Sequence, residues 1–191
     1  MKLNFNLLFI FVFIISTSCA FGFVKSNHGL DGYEYQKIDA VKNARLHSNM
    51  GNIYFDEKNY VSALKEYEIA YNLASHTTAG STYLYNIARC FMKIKNYALA
   101  QNALLGAIER DCLNMTYYKS LVECFIAQNT QEKELEKYLK DDSNPYNKII
   151  AGLIYLNTNR KSIAKSIFDD FVNDNPDMII TQDIKAILKT L

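Results

Sequence analysis

Three histidines and four cysteines are the residues of this 191-residue chain best suited by type to hold a metal or attack a substrate. Their spacing favours neither. His28, His47 and His76 stand far apart, and none pairs with another at the short intervals a zinc site uses. Cys19, Cys90, Cys112 and Cys124 form no Cys-x-x-Cys pair for metal or redox work. There is no Gly-x-Ser-x-Gly elbow, no phosphate loop and no His-Glu-x-x-His. The run from Glu132 to Lys137 reads as a solvated helix face. Asn114-Met115-Thr116 is a glycosylation sequon, meaningful only in a eukaryotic secretory route. The expectation is a chain that is not an enzyme, with no cofactor, no metal and no small-molecule substrate.

What must position the remaining side chains is a repeat. Gly51, Tyr54, Ala63, Tyr67 and Ala70 recur as Ala88, Phe91, Ala100, Leu104 and Ala107, 37 residues on. Gly152, Tyr155, Ala164, Phe168 and Pro176 give the pattern again. A period of this size predicts stacked helical units, each burying its apolar face against a neighbour. Within the first unit, Met50, Gly51 and Tyr54 share one helix face, and Ala63, Tyr67 and Ala70 share another. Lys58-Asn59-Tyr60 between them reads as the turn of an antiparallel helical hairpin. Gly51 and Ala63 are small where the helices cross. Cys90 and Cys124 sit 34 residues apart at one repeat position, so they read as small buried hydrophobes beyond disulfide reach. Cys112 falls in a turn and reads as structural too.

These residues resemble the tetratricopeptide repeat (TPR), in which a small residue and an aromatic on the first helix face Ala, an aromatic and Ala on the second. The first repeat also supplies His47 and Ser75, and the second Leu84, Ile87 and Cys112. Both carry the Asn-Tyr turn common in the family, at Asn59-Tyr60 and Asn96-Tyr97. The third is weak. Tyr118, Leu121, Val122, Cys124 and Phe125 fit, but Glu134 stands where Ala belongs, and only 30 residues separate Val122 from Gly152. The fourth has Phe171 in place of an Ala. The resemblance implies an all-α, right-handed superhelical array of antiparallel helix pairs, a TPR-like α-solenoid of about four repeats. These fall near 44–77, 81–114, 115–144 and 145–178 within a helical domain spanning 33–191. Ile184, Ile187 and Leu188 predict a capping helix in 179–191, because array ends need a polar outer face.

Residues 1–20 differ from the rest. Lys2, an apolar run from Leu7 to Ile15 and small polar residues to Ala20 follow the plan of a secretory signal cut after Ala20. Two alternatives stay open: lipidation at Cys19, since Ser16-Thr17-Ser18-Cys19 partly resembles a lipobox, and an uncleaved anchor. Only through this segment would the chain meet a membrane. Residues 21–32, with three glycines, read as a flexible leader. Cutting after Ala20 removes one lysine and no acid, which leaves 20 residues of each sign. With no basic block, nucleic acid is not an expected partner.

In the TPR family the first helices line a concave groove that takes a protein or peptide partner. Carried over, the groove positions are Arg45, Ser48, Asn52, Phe55 and Asp56 in the first repeat. The second gives Thr82, Tyr85, Arg89, Met92 and Lys93, and the third Thr116, Lys119, Glu123, Ile126 and Ala127. The fourth gives Tyr146, Ile149, Leu153, Leu156 and Asn157, with Leu153 and Leu156 also suited to packing on the cap. Asn52 and Asn86 match the asparagines of the clamp that grips acidic chaperone tails. Ser48, Thr116 and Ser120 stand where its cations belong, so that ligand is disfavoured. The resemblance implies an exported or membrane-anchored adaptor or scaffold. The alternative is a structural subunit of an envelope assembly that uses its convex face or ends.

Overall fold

The computed structural model describes residues 31–191 other than 142, with side chains from residue 39 onward. The signal-like segment, Cys19 and residues 21–30 of the leader lie outside the described residues. Among the described residues the elements are helices throughout. They are α1 (Asp31–Asp56), α2 (Tyr60–Ala74), α3 (Ala79–Lys93), α4 (Tyr97–Arg110), α5 (Met115–Ala127), α6 (Gln131–Lys140), α7 (Tyr146–Asn157), α8 (Lys161–Asp174) and α9 (Ile180–Leu188). Each packs on its neighbour in sequence, which makes an all-α TPR-like array of helix pairs. Residues 31 and 32 belong to α1 rather than to the leader. They extend its first turn, where N–H groups need no partner inside the helix.

One turn recurs at the end of α1, α3, α5 and α7. Lys58, Lys95, Asn129 and Asn159 have positive φ of 62°, 61°, 57° and 61°. The next residue's N–H reaches back five residues: Asn59 to the Tyr54 carbonyl, Asn96 to Phe91, Thr130 to Phe125, and Arg160 to Tyr155. That is the Schellman closure, which satisfies carbonyls the helix end leaves open. Asn59 and Asn96 then cap the following helix, their side-chain oxygens accepting from the N–H of Ser62 and Leu99. The chain thus reverses within three residues and sets each pair antiparallel.

The helix crossings are matched in size. A methyl group at Gly51 would lie 2.7 Å from the Tyr67 ring, and one at Gly152 would lie 2.7 Å from Cζ of Phe168. Tyr67 and Phe168 are both fully buried. At the equivalent crossing of the second pair, Ala88 is accompanied by Leu104, a smaller partner. Cys90 and Cys124 are free and buried in this core, and burial pushes both thiols up from 9.0 to about 12. Burial likewise holds the Tyr67 hydroxyl at about 12 while it donates to Oδ1 of Asn52 at 2.7 Å.

The third pair departs from the others. Helix α6 has ten residues and buries only Leu135, while Tyr138 packs on Phe125 with ring centroids 6.1 Å apart. Losing about one turn of α6 lets α7 pack on α5 directly as well as on α6 and α8. Phe171 is fully buried in the space where the pattern expects a smaller residue.

Candidate functional site

The first helices of the pairs place their side chains along one concave face. Its centre is a cleft of about 480 Å³ lined by Phe55 from α1, by Tyr85, Arg89, Met92 and Lys93 from α3, and by Ser120, Glu123 and Ala127 from α5, with Tyr97 at the start of α4. Arg89 organises it. Its guanidinium carbon lies 4.1 Å above the Phe55 ring and 5.9 Å from the Tyr85 ring. Its Nη1 donates to Oδ1 of Asn86 at 3.2 Å. Tyr85 in turn packs on Tyr117 with centroids 5.1 Å apart. The cation is therefore held by two rings and an amide, with no carboxylate bonded to it in the hydrogen bonds and ion pairs of the described residues. Such a group keeps capacity for a charge-assisted bond to a ligand carboxylate. Lys93 and Glu123 add one charge of each sign.

The groove continues past Glu123. A second hollow, about 240 Å³, is lined by Lys119, Glu123, Leu153, Leu156, Asn157, Ile187 and Thr190. A third, about 700 Å³, shares Lys119, Ile187 and Thr190 and adds Asp111, Asn114, Thr116 and Asp183. Glu123 is common to the first two hollows, and Lys119, Ile187 and Thr190 to the last two, so α9 and the residues just after it form one wall of the C-terminal pair.

Of the groove positions inferred from the repeat, the structure brings Phe55, Tyr85, Arg89, Met92, Lys93, Glu123 and Ala127 together in the central cleft. Lys119 and Glu123 line the second hollow. Asn52 is exposed beside the face but is engaged by the Tyr67 hydroxyl. Arg45 is exposed and close enough to counter the upward push of burial on the Tyr83 hydroxyl. Two positions need correction. Ile149 is fully buried, because α7 is enclosed by α5, α6 and α8, and it cannot meet a partner without unfolding the array. Tyr146 is half-buried and committed to the core: its hydroxyl shares a hydrogen bond with the Cys112 thiol at 3.1 Å and its ring stacks on Tyr118, with centroids 6.3 Å apart. That hydrogen bond, with burial behind it, pushes the Tyr146 hydroxyl up to about 12. Leu153 is buried as well, while Leu156 is only half-buried.

Three lining elements lie outside the groove positions that the repeat implies. Tyr97 was legible as a turn residue but not as a groove wall. Ser120 enters the repeat pattern only where a clamp cation would stand. Ile184, Ile187 and Leu188 predict a capping helix alone, yet Ile187 lines both C-terminal hollows and Asp183 lines the larger one. No sequence signal announces this, since it depends on how α9 packs on α8. Among the described residues no group of three or more His, Cys, Asp or Glu side chains is placed to hold a metal ion. No described helix is long and apolar enough to cross a membrane.

Residues 81–111, which cover α3 from its third residue and all of α4, match the family model of the tetratricopeptide repeat. Among solved structures, a tetratricopeptide repeat protein from Parabacteroides merdae is similar at a TM-score of 0.51 and 16% identity, over 78% of this chain and 59% of that one. The MamA structure is similar at 0.48 and 18% identity, over 75% of this chain and 84% of that one. The PilF protein of Pseudomonas aeruginosa is similar at 0.48 and 14% identity, over 75% and 66%. No curated protein matches the chain. The class these findings define is a TPR-like helical array, with one segment that matches the repeat itself.

Proposed function

We propose that this chain is an exported adaptor or scaffold that binds a partner protein through its concave groove. The observation that carries the reading is Arg89, poised over Phe55 and Tyr85 in an open cleft with no carboxylate partner among the described residues. Arg, Tyr, Phe and Met are the residues that anchor protein interfaces, and a few such anchors dominate affinity. The cleft fits a segment that offers an apolar side chain to Phe55, Met92 and Tyr97 and a carboxylate to Arg89 and Lys93. Export rests on the pattern of residues 1–20. An intact mass beginning at Phe21 in an extracytoplasmic fraction supports cleavage, whereas a lipidated Cys19 or an intact Met1 replaces it with an anchor.

The groove is tested by crosslinked pull-down from native cells, comparing the wild-type chain with a Tyr85→Ala, Arg89→Glu double variant whose helical spectrum is unchanged. A partner lost only in the variant supports the groove. A partner retained by both moves the function to the outer face or the ends, and favours the structural-subunit reading.

A further inference from the structure

The first end of the array carries an apolar stripe that the rest of the array always covers. Leu46, Met50 and Ile53 of α1 are 53%, 42% and 58% exposed. Their repeat equivalents are Tyr83, Ile87 and Cys90 in α3, Tyr117, Leu121 and Cys124 in α5, and Asn147, Ala151 and Ile154 in α7. None of these nine exceeds 8%. In each case the covering element is the helix that precedes it, α2, α4 or α6, running antiparallel. Helix α1 is the first described helix and has no such cover among the described residues.

The residues around the stripe say what would cover it. At about 100° per residue, Lys42, Leu46, Asn49, Met50, Ile53 and Glu57 share one side of α1. Glu57 lies one residue beyond the helix but keeps its register, its N–H bonded to the Ile53 carbonyl at 3.0 Å. The set is symmetric about a point between Asn49 and Met50. Laid antiparallel on a second copy of itself, it sets Leu46 against Ile53 twice and Lys42 against Glu57 twice, with Met50 beside the axis. Lys42 and Glu57 are both exposed, and neither has an ion pair among the described residues. The other end of the array shows no matching stripe: Ile179, just before α9, is exposed, but α9 itself exposes Gln182 and Asp183, with Lys189 just beyond it.

We propose that two copies of this chain associate through α1 in an antiparallel, two-fold contact. The contact is isologous, so it closes at two and does not propagate. Each α1 takes, on the other copy, the place that α2, α4 and α6 take within the array. Phe55 lies about 180° around α1 from Leu46, so both grooves stay open and face away from the shared helix pair. The dimer would then hold two grooves in fixed relation, and a partner with two binding segments gains avidity without any new contact.

The test is sedimentation equilibrium of the purified full chain up to the high micromolar range, with helical content monitored. The wild-type chain is expected to be a dimer. Ile53→Glu, an exposed position, is expected to raise the dimer dissociation constant about tenfold or more, with helical content unchanged and a melting curve that matches the wild type at concentrations where both are monomeric. Lys42→Glu sets like charges together and weakens the dimer, whereas Lys42→Glu with Glu57→Lys restores it by reversing both pairs. A wild-type chain that stays monomeric over the whole range overturns the proposal. So does a dimer indifferent to Ile53→Glu, or a charge reversal that fails to restore association.

Discussion

Gly152→Ala puts two opposing quantities on one atom. In a helix interior alanine is favoured over glycine by about 1 kcal/mol. Against this, the new methyl would sit 2.7 Å from Cζ of Phe168. Carbon atoms pack at about 3.5–4.0 Å, so the ring must withdraw by about 1 Å. Phe168 is fully buried on the face of α8 that meets α7, and overpacking of this kind costs about 1–3 kcal/mol. The net expectation is a loss of about 1 kcal/mol, which for a chain of this size lowers Tm by about 2–4 °C. The ring is the cause, so the sign must reverse when the ring is removed. In a Phe168→Leu background, which recreates the Ala88 and Leu104 combination of the second pair, Gly152→Ala should stabilise by the propensity term alone. Urea unfolding of the four proteins, followed by helical circular dichroism, gives the coupling directly. A Gly152→Ala protein that is more stable than wild type by the full propensity gain, or one that shifts equally in both backgrounds, refutes the size-matching argument.

Other outcomes follow from the same packing. Lys95→Gly relieves a left-handed residue that carries a side chain and should stabilise by up to about 1 kcal/mol. Asn129→Gly should gain less, because asparagine tolerates that conformation better; chemical denaturation of both variants decides the order. Asn96→Ala removes the oxygen that accepts the Leu99 N–H and should cost about 1 kcal/mol by the same assay. Cys90 and Cys124 should resist an aromatic disulfide reagent in the folded protein, with Cys112 labelled first; early labelling of all three would contradict the buried core. Alkali provides a further test. Both buried thiols have folded values raised to about 12, so their contribution is complete below the unfolded value near 9 and is lost as pH rises towards 12. Each should add a slope of about 1.4 kcal/mol per pH unit in that window, and a flat stability profile between pH 9 and 11 would contradict it.

The architecture was largely visible in the chain because its determinants are local and periodic. Gly51, Ala88 and Gly152, paired with Tyr67, Leu104 and Phe168, mark where helices cross, and Asn59 and Asn96 mark where the chain reverses. Cys90 and Cys124 read as buried for the same reason: their repeat position faces a neighbouring helix. What escaped depends on relations between repeats. The reversal uses left-handed lysines at 58 and 95, where sequence rules would look for glycine. Ile149 sits at a groove position by count, but the shortened α6 draws α5 onto α7 and seals it in. Tyr146 is taken out of the groove by a thiol 34 residues away. Helix α9 joins the groove wall through its packing on α8, a relation between elements that no residue type in 179–191 marks.

The groove itself is tested most directly by site-specific photocrosslinking in native cells. One chain would carry the photoreactive residue at Met92 in the central cleft, and another would carry it at Leu105, which is exposed on α4 and lines none of the three hollows. Adducts of a discrete partner from position 92, absent from position 105 and abolished by Arg89→Glu, are the expected result. Equal adducts from both positions, or adducts from 105 alone, would contradict a binding function of the concave face.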